Sequence, residues 1–134
     1  MLLIEDVEVR TLLDPQAGSG SRPGQCTLRF NDCDNVHGSQ SSRVTMKRVR
    51  VQDGATGIEL SGCPRAQLSD IVSVNVRGPY PRGQCVQFSV SNGASLADFY
   101  CRNDNRSSWP EDSVSVWRSA DVTVRSGLVD GNNA

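Results

Sequence analysis

Two kinds of apolar segment alternate along this chain, and both recur with the same spacing. The first kind reads Leu2-x-Ile4-x-x-Val7-x-Val9 and again Val44-x-Met46-x-x-Val49-x-Val51. Looser copies stand at Ala66-x-Leu68-x-x-Ile71, Ala94-x-Leu96-x-x-Phe99-x-Cys101 and Val122-x-Val124-x-x-x-Leu128. The second kind alternates strictly, at Leu28-x-Phe30, Ile58-x-Leu60, Val86-x-Phe88 and Val114-x-Val116. Ile58, Val86 and Val114 stand 28 residues apart, as do Ala66, Ala94 and Val122; the step from Leu28 to Ile58 is 30. Two independent markers on one period imply stacked units, none of which can bury its apolar face alone.

The content of each unit narrows the architecture. Apolar positions follow a period of two over short runs, bounded by Asn, Asp, Gly and Ser. No stretch carries a sustained helical stripe with caps. Aromatic residues make up only 5% of the chain, while Ser, Val, Arg, Asn, Asp and Gly are abundant, a mix that favours short strands and turns over long helices. The expectation is an all-β solenoid of short parallel strands, roughly four to five coils, with equivalent strands ~4.8 Å apart. Ile58, Leu60, Val86, Phe88, Val114 and Val116 are expected in its core. An antiparallel sandwich of short strands shares the frequent turns, but nothing in it maintains a 28-residue register.

At 134 residues the chain is one unit, residues 1–134. Leu2 enters mid-coil and the pattern stops just after Leu128-Val129, so a segment of a longer solenoid is expected. Open solenoid ends expose strand edges, which are surfaces for self-association. A net charge of −1 carries no electrostatic footprint for nucleic acid. Apolar runs of three or four residues are too short for a membrane helix or a signal-peptide core, so no membrane partner is expected.

Several features together resemble one family. They are the alternating triplets such as Ile58-Glu59-Leu60, turns such as Gly62-Cys63-Pro64 and Ala120-Asp121, and the closing Gly127-Leu128-Val129-Asp130-Gly131-Asn132-Asn133. Over nearly its whole length the chain resembles the right-handed parallel β-helix of the pectate-lyase-like superfamily. The resemblance implies a secreted or cell-surface protein with a polysaccharide partner, bound in a cleft along one parallel sheet and walled by long turns. It implies lyase, hydrolase or epimerase chemistry, or polysaccharide binding without turnover. The same coils also build adhesins and structural spacers.

Alternation then selects candidate site residues. The residues between the inward apolar positions point out, giving one column Arg29, Glu59, Gln87, Ser115 and a second Asn31, Ser61, Ser89, Trp117. Long turns at 10–25, 77–84 and 102–112 all lead into this strand. The last of them, RNDNRSSWPED, supplies Asp104, Arg106, Trp109, Glu111 and Asp112 as rim residues. An indole such as Trp109 or Trp117 can stack on the apolar face of a sugar ring. Pro, Asn and Asp are also ordinary turn residues, so a plain solvated turn, or Trp109 folded back as a lid, remains the competing reading.

Family catalytic motifs do not assemble. Calcium takes six to eight oxygens, which Glu59 and Asp112 do not supply, and no cofactor is expected. Glu5-Asp6 and Glu111-Asp112 are adjacent pairs that point opposite ways in extended chain, unlike the facing carboxylates of a glycosidase. His37, the single histidine, reads as a solvated residue of an irregular turn at 34–42. Of five cysteines, Cys33 and Cys63 share a local position and would stack within disulfide reach, or as two buried thiols. Cys26 and Cys85 share the context Gly-Gln-Cys but lie two coils apart.

Overall fold

The computed structural model describes residues 1–10, 35–78 and 83–131. Among these residues there are nine strands and no helix. Five form one parallel sheet in the order β1 (Leu2–Arg10), β3 (Val44–Gln52), β5 (Gln67–Val74), β7 (Ser95–Arg102) and β9 (Thr123–Asp130). Four form a second, β2 (Val36–Ser39), β4 (Ile58–Ser61), β6 (Gln84–Ser89) and β8 (Asp112–Trp117). The chain visits the two sheets alternately and every pairing is parallel. The result is a parallel β-solenoid, as the repeat requires.

The inward columns run through the coils in register. Ile4, Met46, Leu68, Leu96 and Val124 form one, and Ile58, Val86 and Val114 another. Ile58, Leu60, Val86 and Phe88 are fully buried. Val114 is partly buried against the core, but Val116 is 45% exposed, contrary to expectation. Val116 lies on β8, the last strand of its sheet among those described, so no further rung covers it.

One alignment made from the sequence shifts. The ladder partner of Ile58 is Val36, 22 residues earlier, and Leu60 lies over Gly38. Leu28 and Phe30 lie outside the described residues. Gly38 occupies an inward position because Leu60 fills the space; an added Cβ would sit 2.7 Å from Leu60 Cδ2. His37 is accordingly a strand residue paired with Glu59, not part of an irregular turn.

The difference between 22 and 28 residues has a single location. From Val51 to Ile58 is 7 steps, while from Ser73 to Val86 and from Cys101 to Val114 is 13. The six additional residues therefore fall in the turns that lead from the first sheet to the second. These longer turns stack on one corner of the solenoid.

The other corners are built by left-handed residues. Asp6, Arg48, Asp70, Asp98 and Ser126 have φ between 53° and 55° and drop out of the ladder, bending each strand of the first sheet at one height. This bend is the origin of the two-residue gap in Leu68-x-x-Ile71. After the second sheet, Gln40, Gly62, Val90 and Arg118 turn the chain in the same way. The residue that follows each of them repeats a small motif. Ser41, Cys63, Ser91 and Ser119 each donate to the carbonyl two residues back, at 3.1, 3.5, 2.9 and 3.0 Å. Cys63 thus holds a serine's place, with Ser41 on the rung beneath it; Cys33, the partner expected from the sequence, lies outside the described residues.

Val90 is the misfit in its column. A β-branched side chain at φ 50° is strained, at a cost of ~1–2 kcal/mol, and Val90 is 51% exposed, so little packing offsets it. Val90→Asn is expected to stabilise the chain by about 1 kcal/mol, seen as a higher urea midpoint with an unchanged slope.

Candidate functional site

The outward face of the second sheet and the corner of long turns beside it form the candidate site. In β4, β6 and β8, side chains alternate about an apolar interior, so Glu59, Gln87 and Ser115 project outward on successive rungs. The rung below Glu59 is His37. Arg29, the residue expected there, lies outside the described residues. His37 Nδ1 stands 3.6 Å from Glu59 Oε2.

Alternation sets the direction of these side chains but not their depth. Glu59 is outward and yet only 8% exposed, where a solvated column was expected. Gln87 is half-buried, and its Oε1 is fully buried without a hydrogen-bond partner. A buried amide oxygen without a donor costs ~1–3 kcal/mol.

The next outward column is Ser39, Ser61, Ser89 and Trp117. Trp117 is 49% exposed, as expected, and the Arg118 guanidinium lies 4.3 Å from its ring centroid. That cation–π contact holds one face of the indole and leaves an exposed aromatic surface at the end of β8.

Within the turn RNDNRSSWPED the backbone is tied in place at several points. The Asp104 carboxylate accepts from the Arg106 amide at 2.9 Å, and the Asp104 carbonyl accepts from the Ser107 amide at 2.9 Å and from Ser108 Oγ at 2.6 Å. The Trp109 amide donates to Val76 O and the Glu111 amide to Gly83 O, both at 3.0 Å. These bonds join the turn to the one a coil earlier. Asp104, Arg106 and Asp112 are exposed, and so is the Trp109 ring. Trp109 and Trp117 flank β8 at opposite ends, about 16 Å of strand apart.

The same corner holds two buried polar groupings that residue spacing did not disclose. Asp53 is 3% exposed and accepts from Arg77 Nη2 at 2.7 Å, Gln52 Nε2 at 3.1 Å and Arg10 Nε at 3.2 Å. Arg77 is itself buried. Beside them Thr56 Oγ1 donates to Gln84 Oε1 at 3.0 Å, and Gln84 Nε2 donates to Glu111 Oε2 at 2.7 Å. Glu111 is thereby tied to the wall, whereas its neighbour Asp112 begins β8. These groupings fasten the short turn after β3 to the long turn after β5, and that turn to the next long one.

Compared with protein-family models, curated proteins and solved structures, the chain matches none. Its functional reading therefore rests on its own residues. Among the described residues no three His, Cys, Asp or Glu side chains converge as a metal site requires, and no helix is long and apolar enough to cross a membrane.

A second concave surface, about 560 Å³, follows the bend of the first sheet. Asp70 and Asp98 line it on adjacent rungs, with Val72, Tyr100 and Leu128 beside them. Tyr100 Oη donates to Asp130 Oδ2 at 3.0 Å, which raises the phenol's pKa. Further down the bend, the hydrogen bond from Arg48 holds the Asp6 carboxyl below its usual range.

Proposed function

We propose that the chain is a segment of a right-handed parallel β-helix of the pectate-lyase-like kind that binds polysaccharide outside the cell. The ligand would lie along the outward face of the second sheet, beside the corner of long turns. The observation that carries this reading is Trp109, an exposed indole on a turn whose backbone is hydrogen-bonded at Trp109 and Glu111 to the turn one coil earlier. An aromatic ring held in place loses little conformational freedom on stacking against a sugar ring. Trp117, at the far end of β8, would offer a second platform, and Arg106, Asp104 and Asp112 would serve hydroxyl groups between them. Gln87 Oε1, which lacks a donor, is an acceptor that a sugar hydroxyl could satisfy after a small side-chain movement.

Binding without turnover is the form of this reading that the residues favour. Lyase, hydrolase or epimerase chemistry would need an acid and a base on the same strip. There Glu59 is engaged with His37, and Glu111 is engaged with Gln84. An adhesin-like or purely structural segment is the alternative.

Saccharides that bind should quench or shift the fluorescence of Trp109 and Trp117, the only two tryptophans. Trp109→Ala is expected to weaken binding by about tenfold, equivalent to ~1.4 kcal/mol, while the melting temperature stays nearly unchanged. A fall of many degrees would identify Trp109 as a packing residue and remove the observation on which the reading rests. A release assay on acidic polysaccharides separates a binder from an enzyme.

A further inference from the structure

The mostly apolar interior of the solenoid holds two cysteines at one level, above the buried Ser73. Cys85 on β6 and Cys101 on β7 come from the two different sheets of one coil. Both are buried, at 0% and 1% exposure. One rung below, a Cβ added at Gly57 would meet Ser73 Oγ at 2.5 Å, so the position of Cys85 faces that of Cys101 across the interior. Asn103 Nδ2 donates to Cys85 Sγ at 3.8 Å, and Cys101 Sγ lies 4.0 Å from Ser113 O. Neighbouring rungs do not repeat the pair. Ser73 stands below Cys101, and Ser113 stands above Cys85.

We propose that Cys85 and Cys101 are a redox site, closing to a disulfide that staples the two sheets together across the interior. Each half of the pair is held by a strand paired on both sides, so closing the bond requires no loop to move. Bond formation shortens their separation to ~2.05 Å, a change that side-chain rotation supplies. Asn103 Nδ2 donates to the Cys85 sulfur, which favours its thiolate and makes Cys85 the attacking group. The oxidant is a low-molecular-weight disulfide. The Cys85 thiolate, having lost its proton to solvent, attacks one sulfur of the reagent and releases one thiolate, giving a mixed disulfide. Cys101 then loses its proton and attacks the Cys85 sulfur, releasing the second thiolate. The protein loses two hydrogens and two electrons, and the reagent leaves as two thiols.

The test uses the full chain, unfolded and then refolded with or without oxidised glutathione, so that access to the interior is not limiting. After alkylation of remaining thiols, trypsin should release residues 83–102 as one peptide, because no Lys or Arg lies between Gly83 and Arg102. Cys85 and Cys101 are the only cysteines in it. The expected product is this peptide lighter by two hydrogens and carrying no alkyl group, and the oxidised chain should melt roughly 10 °C higher than the reduced one. Cys101→Ser should abolish both effects while still folding when reduced. Full alkylation of both cysteines after oxidative refolding, a cross-link from either one to Cys26, Cys33 or Cys63, or a lower melting temperature on oxidation would each overturn the proposal.

Discussion

Phe88→Ala is expected to destabilise the chain by about 3–5 kcal/mol, the range for removing a buried aromatic ring and leaving a cavity. Phe88 is fully buried, between Leu60 on the rung below and Val116 on the rung above. The column cannot collapse onto the space, because each rung is held at strand spacing by backbone bonds on both sides. In a solenoid each coil is stabilised chiefly by its neighbours, so the loss weakens both the β4–β6 and the β6–β8 contacts. Urea unfolding should show a lower midpoint with an unchanged slope. Val116→Ala is the control: in the same column but 45% exposed, it should cost well under half as much. Equal effects at the two positions would show that the column is not graded by burial.

That contrast also marks how much of the fold was legible in the residues. The inward columns and the 28-residue period were readable because burial demands an apolar side chain at every rung, whatever the turns do. The first coil of the second sheet was not. Its inward pair is Val36 and Gly38, and a glycine facing Leu60 leaves no bulky residue to mark the alternation. Leu28-x-Phe30 matched the template better, which displaced Arg29 into the column that His37 occupies. The gap in Leu68-x-x-Ile71 was visible, but its cause, a left-handed residue at each bend, lies in φ and leaves only a preference for Asp.

The candidate site was legible to the same partial degree. Alternation put Glu59, Gln87 and Trp117 in outward columns, of which Trp117 is exposed, and turn length picked out RNDNRSSWPED. Neither could show that Glu59 is buried or that Asp53 and Arg77 meet. Their contact joins positions 24 apart, a separation set by one short coil and one long turn. Nothing in the local sequence of either residue reports it.

Asp53 and Arg77 therefore carry the second large expected effect. Asp53→Asn keeps the side chain's shape and tolerates the left-handed φ of 62°, but it removes the charge opposite a buried guanidinium. Arg77 Nε already lacks a hydrogen-bond partner, so the pair depends on Asp53 for most of its compensation. Breaking a buried pair from one side typically costs ~3–5 kcal/mol. Arg10 can move into water with its charge, being largely exposed, whereas Arg77 cannot without opening the turn. Arg77→Met should cost less than Asp53→Asn, because Asp53 retains Arg10 and Gln52 as donors. The double variant should be more stable than the sum of the two single changes predicts, by ~0.5–3 kcal/mol. Added salt should change the Asp53→Asn effect little, since a buried pair is weakly screened. A cost below 1 kcal/mol for Asp53→Asn, or strict additivity in the double variant, would show that the long turns are fastened at Gln84 and Glu111 instead.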